Sequence, residues 1–146
     1  MLLKSVFIGF LSLSILHADT LKECKTEEDK ISGCVKKEYN SNGKLWRETP
    51  YKNGKFDGVA KEYYENGNLK AETPFNNNGV NGDMKLYTED KKLLALIKAE
   101  NHKFISGKCF NNKVLTDKDL KEMRRDGSIK RAIVYLKEIC LKSDSK

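Results

Sequence analysis

A block of residues occurs twice in succession: Glu38-Tyr39-x-x-Asn42-Gly43-x-Leu45-x-x-Glu48-Thr49-Pro50-Tyr51 returns 24 residues later as Glu62-Tyr63-x-x-Asn66-Gly67-x-Leu69-x-x-Glu72-Thr73-Pro74-Phe75. Self-similarity at that period is the signature of stacked repeat units, none of which can bury its apolar side alone. A third copy keeps Tyr87 and Leu93 in register. There Asp90 and Lys91 stand in place of the Asn-Gly pair, and Leu96 replaces the glutamate. Such a repeat constrains architecture far more than activity.

Within one copy, Val59 to Tyr64 and Leu69 to Thr73 mix β-forming residues with charges in near alternation around an Asn-Gly turn, which reads as a β-hairpin. The recurring tyrosine and leucine are six apart in every copy. That spacing favours a three-residue loop, Glu65-Asn66-Gly67, with glycine in the left-handed position and Tyr63 directly opposite Leu69. Pro50 and Pro74 cannot donate to a ladder and are expected at a strand end or bulge. The Gly-rich stretches 53–58 and 76–82 turn the chain into the next hairpin. In this reading Tyr39, Tyr63 and Tyr87 form a ladder on one face, packed by Leu45, Leu69, Leu93, Tyr51, Phe56 and Phe75. Tyr63→Ala is then the most damaging single change.

The motif Tyr-x-x-Asn-Gly-x-Leu-x-x-Glu, followed by Tyr-x-Asn-Gly-x-x-Asp-Gly, resembles the bacterial variant of the MORN repeat over residues 35–107. The resemblance implies a mainly β fold, an elongated twisted antiparallel sheet of serial hairpins, used as a scaffold or binding surface. It also brings a link to membranes in eukaryotic relatives and an antitoxin-like label in some bacterial ones. An antitoxin or immunity role would rest on that label alone.

The N-terminus reads as a secretory signal, residues 1–18, with Lys4 ahead of the apolar stretch Ser5 to Leu16 and cleavage after Ala18. The expected home is the periplasm or the medium. Four cysteines remain after cleavage, Cys24, Cys34, Cys109 and Cys140, and an even number in an exported chain favours disulfides. Three connectivities are possible. The simplest joins sequence neighbours and so staples each end of the stack, where unpaired sheet edges need covering. No C-x-x-C occurs and His102 is the one histidine after residue 18, so no metal site is expected.

The organisation expected is signal 1–18, N-terminal cap 19–34, hairpin repeats 35–107 and a basic helical cap 108–146. Residues 19–107 carry 16 basic and 15 acidic side chains, against 11 and 6 in residues 108–146. Thr116 with Asp117 and Asp119 reads as a helix start, ended by Asp126-Gly127. Ser128 opens a second helix whose apolar stripe is Ile129, Ile133, Leu136 and Cys140. Lys121, Arg124, Arg125, Lys130 and Arg131 form the densest basic cluster, a candidate contact for an anionic lipid surface. Nucleic acid is not expected, because the cluster lacks an aromatic stacking platform.

No phosphate loop, nucleophile elbow or paired-histidine motif is present, and no cofactor is implied. Glu48 and Glu72 occupy equivalent repeat positions, which a lysine–glutamate ladder explains better than catalysis. The expected function is that of a non-catalytic, exported protein-binding or scaffold module in the cell envelope, whose partner is another envelope protein. Trp46 is the candidate contact residue, since it takes the place of Lys70 and lies off the Tyr-Leu stripe.

Overall fold

A computed structural model describes residues 21–142 of the chain; the expected signal, residues 1–18, lies outside them. A short helix α1 (Glu27–Ser32) precedes nine strands: β1 (Cys34–Tyr39), β2 (Leu45–Lys52), β3 (Lys55–Phe56), β4 (Gly58–Tyr63), β5 (Leu69–Asn76), β6 (Gly79–Val80), β7 (Gly82–Tyr87), β8 (Leu93–Glu100) and β9 (Lys103–Cys109). Two helices, α2 (Asp117–Arg124) and α3 (Ile129–Cys140), follow. The strands form one open antiparallel sheet in the order β1-β2-β4-β5-β7-β8-β9, with β3 on β2 and β6 on β5. The fold is mainly β, as the repeat implies.

Turn chemistry explains the hairpins. In the second copy Tyr64 N–H donates to Asn68 O, closing a three-residue loop in which Gly67 has φ 84° and Tyr63 pairs with Leu69. Gly43 (φ 78°) does the same in the first copy, and Lys91 (φ 68°) in the third. The opposite ends of the hairpins turn on Asn53-Gly54, Asn77-Asn78 and Asn101-His102, each pair with positive φ at both residues, as a two-residue type I′ turn requires. Pro50 and Pro74 face the one-residue breaks at Asp57 and Asn81, whose N–H groups donate to the proline carbonyls. The missing proline N–H therefore costs no ladder bond.

The repeat runs further than its sequence shows. Cys109 N–H donates to Lys113 O around the loop Phe110-Asn111-Asn112, Asn112 takes φ 64°, and Lys108 bridges Val114 as Tyr63 pairs with Leu69. A fourth half-copy thus crosses the boundary read at residue 107 before Thr116 caps α2. Thr116 and Asp119 form a reciprocal capping box there, and Ser128 caps α3.

The core is not the Tyr-Leu stripe. Strand alternation places Tyr39, Tyr63, Tyr87 and their leucines on the far side of the sheet, where Tyr39 is 54% and Leu93 41% exposed. Tyr51, Phe56 and Phe75 lie on the opposite, helix side, in edge-to-face contact at centroid distances of 5.0 and 5.4 Å. The core forms on that helix side at the C-terminal end. There Met84, Leu86, Leu94, Ala95 and Ile97 pack against Leu120 and Met123 of α2 and Ala132, Ile133 and Leu136 of α3. Leu86, Leu94, Ile97 and Leu136 are fully buried, so each contributes about 1.5–3 kcal/mol of apolar transfer. Truncating one of them, rather than Tyr63, is what should hurt most.

Both disulfides join sequence neighbours, Cys24 to Cys34 and Cys109 to Cys140. The first holds residues 22–24 against β1, where Cys24 N–H donates to Val35 O and Val35 N–H to Lys22 O, covering part of that sheet edge. The second ties the end of β9 to the end of α3.

Candidate functional site

Repeat positions that share a backbone differ in what they carry on the helix side. The position of Glu38 in the first copy is Glu62 in the second and Leu86 in the third. Arg47 becomes Ala71 and then Ala95; Thr49 becomes Thr73 and then Ile97; Trp46 becomes Lys70 and then Leu94. The third copy is apolar because the helix pair sits on it. The first two continue the same face with more polar residues: Thr49, Ala60 and Ala71 are buried there, Ala71 within the core cluster itself, while Trp46 is 37% exposed.

Trp46 lies on this surface. It is the extra residue of a bulge, since Glu38 pairs with Arg47 while Tyr39 pairs with Leu45. Its ring is 37% exposed, and the Arg47 guanidinium carbon stands 6.0 Å from the ring centroid. Lys70 at the same position of the next repeat points to Glu62, with Nζ 3.8 Å from the carboxylate. Burial pushes the Glu62 carboxyl up, with Lys70 and Arg47 pulling it back. Thr49 is 1% exposed, and among the described residues its hydroxyl and the buried Nε of Arg47 meet no hydrogen-bond partner.

Where this more polar surface meets the helices there is a cavity of about 380 Å³. Its sheet wall includes Phe75, Val80 and Met84, its helix wall Met123, Ile129 and Ala132, and Phe104 completes the apolar lining. Arg47, Glu62, His102 and Arg124 supply polar groups. His102 occupies the space over Gly79, where an added Cβ would come within 1.7 Å of the imidazole. Gly79 therefore admits no other residue while His102 keeps that position.

The far side has a different logic. The Tyr63 hydroxyl donates to Glu48 Oε2 at 2.6 Å and Tyr87 to Glu72 Oε2 at 2.7 Å. Burial first, and then the Glu72 bond, push Tyr87 up to about 12. Lys37 and Lys85 stand 3.9 Å from Glu48 and Glu72 respectively, and Lys61 pairs in register with Glu72. The recurring tyrosine and glutamate are thus a clamp between adjacent repeats, which the lysine ladder alone did not explain. Loop ties reinforce it: Tyr64 Oη donates to Tyr87 O, and Asn66 and Asn68 donate to Glu89 O.

The basic cluster of the tail is divided. Arg125 and Arg131 face Glu122 at 3.8 and 3.9 Å, and Arg131 also faces Asp126 at 3.6 Å. Arg124 lies over the Phe104 ring at 5.4 Å and lines the cavity. Lys121 borders a depression beside Phe104 and Asp117, whereas Lys130 borders a separate groove with Tyr64 and Lys137. Sequence reasoning missed Arg47, Glu62, Phe75 and Phe104 as a group. Reading down the repeat columns, where charge gives way to apolar residues, would have flagged the first two. Phe104 had no such signal.

The comparisons with known proteins agree with this geometry. A family model described as the MORN repeat variant matches residues 35–53 and 56–77, the first two hairpins and the turns between them. No curated protein matches the chain. No solved structure matches it either. The first two hairpins of this chain thus match the MORN repeat variant, a type of repeat that in general serves as a protein- or membrane-binding module.

Proposed function

We propose that the protein is an exported, non-catalytic binding module that holds a segment of another envelope protein on the more polar part of its helix side, around Trp46. One observation carries this reading: the face that forms the core under α2 and α3 continues over the first two repeats with more polar residues, and the chain's single tryptophan stands 37% exposed on it. Exposed aromatic and arginine side chains are the residue types that dominate protein contacts. Two disulfides use all four cysteines and fit an oxidising compartment, supporting the periplasm or the medium. The alternative, attachment to anionic lipid through Lys121, Arg124, Arg125, Lys130 and Arg131, has less support, because Arg125 and Arg131 already face carboxylates.

Site-specific photocrosslinking in the native envelope, without reductant, tests the reading. A crosslinker at Lys36, on the helix side, should trap one defined partner, and one at Lys61, on the far side, should not. Trp46→Ala should abolish capture while leaving the melting temperature unchanged. Capture from Lys61 alone, or capture indifferent to Trp46→Ala, would overturn it.

A further inference from the structure

The junctions between repeats show what a strand laid against β1 would look like. Inside the sheet, Arg47 and Glu48 of β2 pair with Glu62 and Lys61 of β4, and Ala71 and Glu72 of β5 pair with Leu86 and Lys85 of β7. A tyrosine hydroxyl locks each junction on the far side, Tyr63 to Glu48 at 2.6 Å and Tyr87 to Glu72 at 2.7 Å. Lys61 therefore stands in register between two glutamates, Glu48 and Glu72. β1 repeats the receiving half of that junction, with Lys37, Glu38 and Tyr39 at the places of Lys61, Glu62 and Tyr63, but it is the end strand of the sheet. Val35 N–H and C=O bond outward to Lys22 and Cys24, so strand alternation turns the amides of Lys37 and Tyr39 outward as well. The covering segment stops at Val35, because Thr26 already caps α1. No repeat precedes Tyr39, which is 54% exposed and, among the described residues, lacks the glutamate that Tyr63 and Tyr87 hold.

We propose that the outer edge of β1 takes an extended segment of a partner polypeptide as an added antiparallel strand, with a glutamate of that segment opposite Lys37 and accepting from the Tyr39 hydroxyl. The outward amides supply the ladder, and Lys37 with Tyr39 selects the acidic residue as Lys61 with Tyr63 does inside the sheet. The open run from Lys37 to Tyr39 is long enough for a junction like that of β2 with β4. A second copy of this chain fits poorly. Two β1 edges set antiparallel within that run place either Lys37 against Lys37 or Glu38 against Glu38, like charges directly opposite. The other end of the stack offers no matching strand: Leu96 stands where Glu48 and Glu72 stand, residues 113–115 lie along β9, and Thr116 then caps α2. The inference concerns the sheet edge and goes beyond the reading of the Trp46 surface, on which it does not depend.

The chain's own β5 supplies the probe. The disulfide-intact protein is titrated with a peptide of the sequence of residues 69–75, Leu-Lys-Ala-Glu-Thr-Pro-Phe, blocked at both ends, with its glutamate-to-glutamine form, and with a form N-methylated at the glutamate. The glutamate peptide should shift the backbone amide resonances of Lys37 and Tyr39 saturably and leave that of Lys61, inside the sheet, in place. The glutamine peptide, the N-methyl peptide and Tyr39→Phe should each weaken binding by at least about fivefold, through loss of a charge-assisted bond or a ladder bond. Tyr39→Phe removes only an exposed hydroxyl, so its fold is kept and the comparison stays direct. Equal binding of the glutamate and glutamine peptides, shifts that spare Lys37 and Tyr39, or no shift at millimolar peptide would sink the inference. So would protection of both amides by self-association of the protein alone, which would make a second copy the occupant. None of these results touches the Trp46-dependent crosslink, whereas loss of that crosslink's dependence on Trp46 removes the reading of the helix side and leaves the edge as it is.

Discussion

The first and third repeats have the same hairpin backbone and opposite helix sides. Glu38, Trp46, Arg47 and Thr49 in the one are Leu86, Leu94, Ala95 and Ile97 in the other, and the second set is entirely buried. Loop geometry survives the change: Tyr39 pairs with Leu45 as Tyr87 pairs with Leu93, each next to a bulge. Hairpin geometry therefore depends on the turn residues and the far-side pairs. The helix side is free to be core or surface according to what lies on it.

The largest expected effect comes from undoing what holds the helices on the third repeat. Replacing Cys109 and Cys140 by serine opens a loop with a separation of 31 residues and should remove about 4 kcal/mol in the chain-entropy model, against about 3 kcal/mol for the 10-residue loop of Cys24 and Cys34. Urea unfolding followed by circular dichroism ranks the two. If the N-terminal pair costs more, the helix cap is not where the fold concentrates its stability.

Next comes the direct test of matched positions. Leu86→Ala should cost about 3 kcal/mol through lost transfer energy and a cavity, while Glu38→Ala should change stability by less than about 0.5 kcal/mol. Similar costs at the two sites would mean that the first repeat's helix side is buried as the third's is.

The helix pair has a pH-sensitive tie. Tyr135 Oη donates to Asp119 Oδ1 at 2.6 Å. Burial acts to raise the Asp119 carboxyl, but bonds from Tyr135 and Thr116 outweigh it and hold it below the usual range. A carboxylate with a depressed folded pKa adds stability above its unfolded pKa and loses it as pH falls through the folded one. Tyr135→Phe should cost roughly 1 kcal/mol at neutral pH, at the low end for a half-exposed pair, and the difference should shrink below about pH 4. Melts of both proteins across that range decide it; a constant difference would assign the effect to packing.

The smallest effect concerns the loops. Lys91 holds the left-handed position that Gly43 and Gly67 hold in the earlier copies. Lys91→Gly should stabilise by about 0.5 kcal/mol, and Gly67→Lys should destabilise by about 1 kcal/mol. A loss of stability in Lys91→Gly would show that the lysine side chain, rather than its backbone strain, governs the third loop.

Much of this was legible from residues close in sequence. The three-residue loops, the Tyr-Leu pairs, the proline positions and the caps at Thr116 and Ser128 all follow from chemistry within a few residues of each motif. The side of the sheet that forms the core did not. A bulge of one residue, at Trp46, Lys70 and Leu94, shifts strand parity, so Tyr51, Phe56 and Phe75 lie opposite the Tyr-Leu stripe with which the sequence pattern groups them. The fourth half-copy escaped notice because Lys108, Cys109 and Asn112 share no side chains with Tyr63, Tyr64 and Gly67, although they occupy equivalent backbone positions. The candidate cavity joins Arg47, Phe75, Phe104 and Ile129, which come from three sheet strands and a helix far apart in the chain.

By itself, the sequence determined a stack of β-hairpins with bulged three-residue loops, because glycine, asparagine and proline act on their own backbone and need no distant partner. Only the tertiary structure decided that the worn third repeat carries most of the core, with Ala71 of the second joining it and Trp46 of the first left 37% exposed. A helix can bury just one stretch of a repeating face, and α2 and α3, tied through Cys109 and Cys140, reach the repeats nearest to them.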